Sequence, residues 1–125
     1  LEKILEIRMI PIISHPERYE FLDNENILKL KNKGVLFQLS IGSFSSYFGE
    51  KSKIKSNNLL DLNIYDFIAS DTNNYDHIND EFLESQINNI SKIIGSNKLN
   101  ELLYSNPKNV IDEKSSNDYQ ILNTK

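Results

Sequence analysis

A histidine, a glutamate and an arginine follow an apolar run near the start of the chain, in the stretch "IISHPERY" at residues 12–19. A neutral imidazole such as that of His15 is a good ligand for a divalent transition metal. A guanidinium such as that of Arg18 suits bidentate recognition of a phosphate and stabilisation of charge during phosphoryl transfer. Side by side, these two residues indicate metal-assisted chemistry on a phosphate group.

Further polar residues stand after two other apolar runs. Gln38, Ser40 and Ser43 accompany the run "VLFQLS", and Asp71 follows "YDFIAS". An aspartate offers a carboxylate to the same metal, and the amide and hydroxyls can hydrogen-bond water or substrate. We therefore take all four as further candidates for a site.

Each candidate residue also has an interpretation in which it has no catalytic or ligand-binding role. His15 alone is more often a satisfied loop histidine than a ligand, and Asp71 is of the type that caps turns. Glu17 and Arg18 can form a solvated loop pair, and "GSFSS" at residues 42–46 can be a flexible loop. Placement of these residues in the fold has to decide between the two interpretations.

The elements that position these residues alternate between strands and helices, which predicts an α/β fold with parallel β/α units. The apolar runs at 9–14, 35–40 and 65–70 predict three strands, with Pro11 tolerated near the start of the first. In β/α proteins the chemistry lies at the carboxyl ends of the strands. His15, Ser40–Ser43 and Asp71 each lie just past such an end, so we expect them to meet at one rim.

Helices are predicted around these strands. Residues 1–8 have helical spacing, and Asp23 or Asn24 can cap a helix that stops at Gly34. Residues 41–50 are interpreted as a loop. A weaker helix is expected at 50–62, with Ile54, Leu59 and Leu62 facing inward. The clearest helix starts at the cap Asn79 and ends at Gly95, and a short one with Leu99, Leu102 and Leu103 follows.

Composition narrows the class of protein. The 125 residues fit one small domain or a piece of a larger one, and the net charge of −4 gives no broad attraction for nucleic acid or for an anionic membrane. The chain has no cysteine, which excludes disulfides, thiolate metal sites and a cysteine nucleophile. No apolar stretch reaches the length of a membrane span, and a cytoplasmic location is compatible with this composition.

Four motifs together carry a resemblance to a known family. In order and spacing, the chain resembles the C-terminal half of the bacterial manganese-dependent tyrosine phosphatases of the polymerase and histidinol phosphatase (PHP) superfamily, which act in capsular and extracellular polysaccharide synthesis. The motifs are "PIISHPERY", "FQLSIGSFSSYFG", "FIASD" and "LLYSNPKNVI". The resemblance covers residues 1 to about 111, which we expect to be the phosphatase portion, and leaves 112–125 as a polar tail that we expect to be disordered.

The resemblance implies a fold, an activity and a partner. The fold is a distorted (β/α)7 barrel of the TIM type with a metal cluster at its C-terminal rim, of which about three β/α units would be present here. The activity is hydrolysis of phosphotyrosine on the tail of a partner tyrosine kinase, by a water or hydroxide bound to Mn2+ or to another divalent metal such as Fe or Co.

The resemblance also implies roles for individual residues. His15 matches a metal-binding histidine, Arg18 a phosphate-binding arginine and Asp71 a metal-binding aspartate. Gln38 and Ser43 match a polar pattern at a strand end that contacts substrate, although Ser40 replaces the usual asparagine of that pattern.

The chain also departs from the family. Asn73 stands where a second metal-binding histidine is expected, and an amide oxygen is a poorer ligand than an imidazole. A second arginine is missing, and only His77 lies nearby to substitute for it. The N-terminal half of the family, with its further metal ligands, has no counterpart here. With His15 and Asp71 as the remaining ligands, we expect weak metal binding and little or no turnover.

Two functions remain open on these grounds. One is a fragment of a metal-dependent tyrosine phosphatase. The other is a degenerate, non-catalytic relative that binds a phosphotyrosine tail or a partner protein, or the relic of a broken gene. Three strands taken from a barrel leave sheet edges exposed, so we also expect self-association or marginal stability.

Overall fold

A three-stranded parallel sheet forms the centre of the chain in a computed structural model that describes residues 3, 6–7, 9–70, 79–113 and 120–121. Strand β2 (Ile12–Ser14) and strand β4 (Phe67–Ala69) flank strand β3 (Leu36–Ser40), and all three run in the same direction. The expected α/β class with parallel strands is confirmed. Because the strands are parallel, their carboxyl ends share one edge of the sheet.

The first predicted strand, 9–14, is wrong as a single element. It divides into β1 (Met9–Ile10) and β2, and Pro11 separates them. Proline has no N–H to give to a ladder, which explains the break. Strand β1 pairs in parallel with β5 (Gln120–Ile121) in a separate two-stranded sheet.

The helices begin at the caps that the sequence predicts. Helix α1 (Asn24–Asn32) starts at Asp23, whose Oδ1 accepts a hydrogen bond from the N–H of Asn26 at 2.8 Å. A second helix, Asp80–Ile94, starts at Asn79, whose Oδ1 accepts from the N–H of Phe82 at 2.8 Å. Such caps satisfy backbone donors that have no partner within the helix.

Residues 41–50 are not the predicted loop. Helix α2 (Ile41–Phe44) directly follows β3, and a short 3-10 helix (Ser46–Phe48) comes next. Burial of the whole of α2 explains the error, because local spacing gives no sign that these Gly- and Ser-containing residues pack inside the protein.

The predicted helix at 50–62 forms as α3 (Glu50–Asp61), but two of its expected core residues do not face inward. Ile54 is 58% exposed and Leu62 is 46% exposed, whereas Leu59 is fully buried as expected. The inward face instead carries Ser52, Ser56, Leu59 and Leu60. Small serines allow α3 to approach the turn at residues 16–18 and α2 closely.

The Asp80–Ile94 helix is α4, and three further helical segments follow it along the chain. They are α5 (Ser96–Asn100), a π-helical turn (Glu101–Ser105) and α6 (Asn106–Glu113). Helix α6 thus extends two residues past position 111. Most of the predicted helix at 1–8 lies outside the described residues. Among the described residues, no helix is both long and apolar enough to cross a membrane.

The hydrophobic core lies on one face of the sheet. Phe37 and Leu39 of β3 and Ile68 of β4 point into it, together with Ile27 of α1 and Ile90 of α4. Residues of the opposite parity, Gln38 and Phe67 among them, line a separate cavity of about 370 Å³ beside α6. The sheet is therefore packed by helices on its first face and partly covered on its second.

Candidate active site at the carboxyl edge of the sheet

His15 leaves strand β2 in a strained backbone conformation. Its φ of 40° and ψ of 57° are left-handed, although a residue before proline is normally extended. A non-glycine residue pays roughly 1–3 kcal/mol in this region and stays there only when its surroundings hold it. The N–H of His15 donates to the carbonyl oxygen of Gln38 at 2.8 Å, which ties the residue to β3.

The imidazole of His15 presents an unsatisfied nitrogen. Its Nδ1 is buried and has no hydrogen-bond partner among the residues that the structure describes. The ring lies 5.2 Å from that of Tyr19, with 51° between the planes. A buried polar atom without a hydrogen-bond partner is energetically unfavourable, so we expect the Nδ1 of His15 to bind a ligand. This favours the ligand reading of His15 over that of a satisfied loop histidine.

Glu17 is buried, and the reading of Glu17 and Arg18 as a solvated loop pair is wrong. Only 3% of the surface of Glu17 is exposed to solvent. Its Oε1 accepts a 2.6 Å hydrogen bond from the hydroxyl of Tyr65, and its Oε2 accepts a 3.3 Å bond from the N–H of Ser40. The short 3-10 helix Pro16–Arg18 is thereby held against the carboxyl end of β3.

Tyr65 keeps its proton throughout the physiological range. Burial raises the pKa of the Tyr65 hydroxyl well above its ordinary value, and the charge of Glu17 and their hydrogen bond raise it further. The phenol is therefore a permanent donor to the Glu17 carboxylate.

Arg18 is held from two directions. Its Nε donates to the Oγ of Ser43 at 2.8 Å, and its guanidinium carbon lies 3.4 Å from the centre of the Phe48 ring. Ser43 itself is fully buried in α2. Stacking on an aromatic ring and a fixed Nε restrict the plane of the guanidinium, which prepares it to bind an anion in a defined orientation.

A cavity of about 950 Å³ opens beside Arg18. Its lining includes the aromatic residues Tyr19, Phe21 and Phe48 and the basic residues Lys51 and Lys55. Phe21 is 83% exposed, which is unusual for so large an apolar side chain. Three glutamates, Glu17, Glu20 and Glu50, also line the cavity, so its charge is mixed and Arg18 is the residue in it best suited to bind an anion.

Lys55 stabilises the segment of the cavity wall that contains Tyr19. Its Nζ donates to the carbonyl oxygen of Tyr19 at 2.7 Å and also to that of Leu22. Burial lowers the pKa of Lys55, although the negative charges of Asp23, Glu17 and Glu20 act in the opposite direction. Helix α3 thus fixes the segment that follows Arg18.

The structure brings together only some of the predicted site residues. His15, Arg18 and Ser43 meet at the carboxyl edge of the sheet, whereas the side chain of Gln38 lines the separate cavity beside α6. Asp71, Asn73 and His77 lie outside the described residues. Within the described ranges, no group of three or more His, Cys, Asp or Glu side chains is placed to hold a metal ion.

Two residues of the site, Lys55 and Tyr65, did not stand out in the sequence, and Glu17 was interpreted there only as half of a solvated loop pair. Sequence patterns separate a buried carboxylate from a solvated one only when its partner is known, and Tyr65 is 48 positions away from Glu17. The one available signal is that Tyr65 opens the predicted strand 65–70, since the hydroxyl of a buried tyrosine needs a partner.

Comparison with known sequences gives a consistent family. A sequence model described as "Capsular polysaccharide synthesis, CpsB/CapC" matches residues 1–112. The tyrosine-protein phosphatase CpsB of Streptococcus pneumoniae is 30% identical over 118 residues, which are 89% of this chain and 48% of that protein. The tyrosine-protein phosphatase YwqE of Bacillus subtilis is 40% identical over 67 residues, 52% of this chain and 26% of that protein.

Comparison with solved structures agrees. The chain is similar to a structure from a study of YwqE from Bacillus subtilis and CpsB from Streptococcus pneumoniae, described as metal-dependent tyrosine phosphatases. The TM-score is 0.65 and the sequence identity 29%, and the match covers 92% of this chain and 44% of the other. The chain spans about half the length, or less, of the curated relatives it matches.

Proposed function

The chain belongs to the CpsB/CapC family of capsular polysaccharide synthesis proteins, and from this we propose that it is the C-terminal portion of a metal-dependent protein-tyrosine phosphatase. The observation that carries the proposal is the turn after β2. It presents the orphan Nδ1 of His15 and the clamped guanidinium of Arg18 at one edge of a parallel sheet. One turn therefore offers a metal ligand and a phosphate clamp.

We propose further that the three parallel strands are part of a distorted (β/α)7 barrel. The support is the parallel order β2-β3-β4 and the likeness to a structure of which this chain matches 44%. The phosphatase portion would span residues 1–111 and the polar tail 112–125. In this arrangement β2 and β4 are edges of the three-stranded sheet, which supports the expectation of self-association.

The proposed metal is Mn2+ or another divalent ion such as Fe or Co, with His15 and Asp71 as ligands. The buried Nδ1 of His15 fits one ligand position, since it has no protein partner within the described ranges. When bound, the metal would polarise the phosphate and lower the pKa of a water molecule. Two protein ligands of this kind would hold it weakly.

Arg18 would bind the phosphate of the substrate and stabilise the charge that develops on its oxygens. Ser43 has a supporting part in this proposal, because it fixes Nε and is itself too buried to reach a substrate. The aromatic walls of the cavity would receive the phenyl ring of phosphotyrosine or its neighbours. Gln38 would contact substrate only from the second face of the sheet.

The proposed partner is the phosphotyrosine-bearing tail of a bacterial tyrosine kinase, met in the cytoplasm. Dephosphorylation of that tail would regulate synthesis of capsular or extracellular polysaccharide. Both statements rest on the family and on the names of its members, which are tyrosine-protein phosphatases.

The second candidate is a non-catalytic protein that binds phosphotyrosine without hydrolysing it, or the relic of a broken gene. The observation that favours it is the asparagine at position 73, together with the absence of arginine from residues 74–80. His77 is the only candidate in that stretch to replace the missing charge.

Hydrolysis of a phosphotyrosine peptide with added Mn2+ separates the two functions. The wild-type chain should bind the peptide through Arg18 with little or no turnover, and Asn73→His should raise turnover by about tenfold or more by restoring a ligand. Binding without turnover in both proteins would favour the second function. Binding that is unchanged in Arg18→Ala would overturn both. Robust Mn2+-dependent turnover of the wild type, abolished by His15→Ala, would contradict the expectation of weak metal binding.

A further inference from the structure

We propose that Glu17 is a positioning residue, whose carboxylate holds the turn at residues 15–18 so that His15 and Arg18 face the same ligand. The inference deepens the proposed phosphatase site and rests on it. Glu17 is buried, and its two donors, the Tyr65 hydroxyl and the Ser40 N–H, lie on two different segments of the chain.

A carboxylate is an unusual choice for this place. Burial of a charge is strongly unfavourable unless it is compensated, and Glu17 has two neutral hydrogen-bond donors and the attraction of the nearby Lys55 charge to compensate it. Packing alone could be provided by an apolar side chain of similar size, often without loss of stability. What an apolar side chain cannot provide is simultaneous hydrogen bonding to Ser40 and Tyr65, which fixes the direction of the turn.

The contact with Ser40 completes a two-point attachment to strand β3. The N–H of His15 donates to the carbonyl of Gln38, and two residues further along both segments Glu17 accepts from the N–H of Ser40. The left-handed residue His15 lies at the start of this attached stretch. Strained backbone persists where neighbouring contacts over-determine it, and these two contacts do so here.

The same attachment governs Arg18. Arg18 directly follows Glu17, and its partner Ser43 follows Ser40 by three residues, within the segment that runs from β3 into α2. Loss of the Glu17–Ser40 contact would let the turn and this segment move apart. The bond between Arg18 Nε and Ser43 Oγ would lengthen as a result.

Asp66 provides a matched control at the opposite end of β3. Its Oδ2 accepts from the N–H of Phe37 at 2.9 Å, as Glu17 does from that of Ser40. It contacts neither His15 nor Arg18. Substitution of Asp66 therefore removes a carboxylate that is bonded to the same strand without touching the proposed site.

The test follows the Arg18 Nε–Hε signal by NMR in the full 15N-labelled chain, first alone and then during titration with inorganic phosphate. Glu17→Ala should move this signal before phosphate is added and should weaken phosphate binding by about tenfold, as loss of supporting contacts does at other sites. Asp66→Ala, measured at a temperature at which circular dichroism shows it to be folded, should leave both readouts unchanged. Glu17→Gln, which keeps an acceptor oxygen, should recover part of the affinity that Glu17→Ala loses.

The outcomes separate this inference from the proposed function. If Arg18 in the wild type does not respond to phosphate, the proposed function is contradicted, while the signal without phosphate still judges Glu17. If Glu17→Ala leaves that signal and the affinity at their wild-type values, or Asp66→Ala changes them equally, positioning by Glu17 is overturned. Should Glu17→Ala fail to fold, Tyr65→Phe removes one donor only and is judged by the same two readouts.

Discussion

At the amino end of β3, the Asp66 carboxylate accepts a hydrogen bond from the N–H of Phe37, and at the carboxyl end the Glu17 carboxylate accepts one from the N–H of Ser40. The two ends thus use the same contact, but their surroundings differ. Asp66 also accepts from Lys31 Nζ at 2.7 and 2.8 Å, so its charge is paired. The donors to Glu17 are neutral.

The backbone shows the same contrast. The N–H of Asp66 donates to the carbonyl of Phe37, and the carbonyl of Asp66 accepts from the amide of Asn106, so both backbone polar groups of Asp66 have partners. The carboxyl end carries the strained His15, whose Nδ1 has no partner within the part of the chain that the structure describes. In β/α folds the amino face of the sheet contributes stability and the carboxyl face carries the chemistry. The four predictions that follow test whether this division holds here.

The largest expected effect is on stability at the amino end. Asp66→Ala removes the ion pair with Lys31 and leaves the N–H of Phe37 without its acceptor, so the free energy of unfolding should fall by about 2 kcal/mol. Urea denaturation measures this. Lys29→Ala is the control, because it breaks only the exposed pair with Glu25 and should cost about 0.3 kcal/mol. Equal losses in the two variants would show that the amino end is not specially stabilised.

The next effect is on binding at the carboxyl end. Arg18→Lys keeps the charge but cannot both stack on Phe48 and donate to Ser43 through Nε, so affinity for phosphotyrosine should fall about tenfold, or 1.4 kcal/mol. Calorimetric titration gives the two affinities. Lys51→Ala removes a cation that is 90% exposed in the same cavity and should matter little. A comparable loss for Lys51→Ala would indicate general charge attraction instead of a specific site.

A smaller effect comes from the strain at His15. His15→Ala and His15→Gly both remove the imidazole, but glycine accepts the left-handed backbone without penalty, so the glycine variant should be more stable by about 1 kcal/mol. Thermal unfolding of the pair gives the difference. The control is substitution of Asn63 by glycine. Asn63 is also left-handed, with φ 58°, but asparagine tolerates this region, so the gain in stability should be smaller there. Equal stability of the two His15 variants would mean that the turn relaxes once the imidazole is gone.

The smallest effect is alkaline and concerns Tyr65. Its folded pKa lies above the unfolded value, so its contribution to stability is complete below the unfolded pKa and is lost as the pH rises through the folded pKa. At pH 10, where an unfolded tyrosine is half ionised, this group should lower the free energy of unfolding by about 0.4 kcal/mol relative to neutral pH. Tyr65→Phe should lack this part of the decline. Identical pH profiles would contradict the raised pKa.

Much of the fold was predictable because its signals are local. A few neighbouring residues predict the caps, Asp23 or Asn24 and Asn79, and a strand at 35–40, which the structure shows at 36–40. His15 and Arg18 were identified as candidates for the same reason, since they directly follow an apolar run. Signals of this kind depend only on residues that are close together in the sequence.

The errors arose where distant residues decide the outcome. Glu17 is buried because Tyr65 and Ser40 satisfy it, and α2 forms because the core encloses it. On α3, serines face inward in place of Ile54 because close packing against α2 requires small side chains. None of these contacts is visible in a window of neighbouring residues.

The central claim is that the carboxyl edge of the sheet, and not the amino edge, binds the ligand. Titration of phosphotyrosine into the full 15N-labelled chain, followed by backbone chemical shifts, tests it most directly. We expect the largest shifts at His15, Arg18, Ser43 and Phe48, with those of Phe37 and Asp66 unchanged. Shifts concentrated around Phe37 and Asp66, or none near Arg18, would contradict the account.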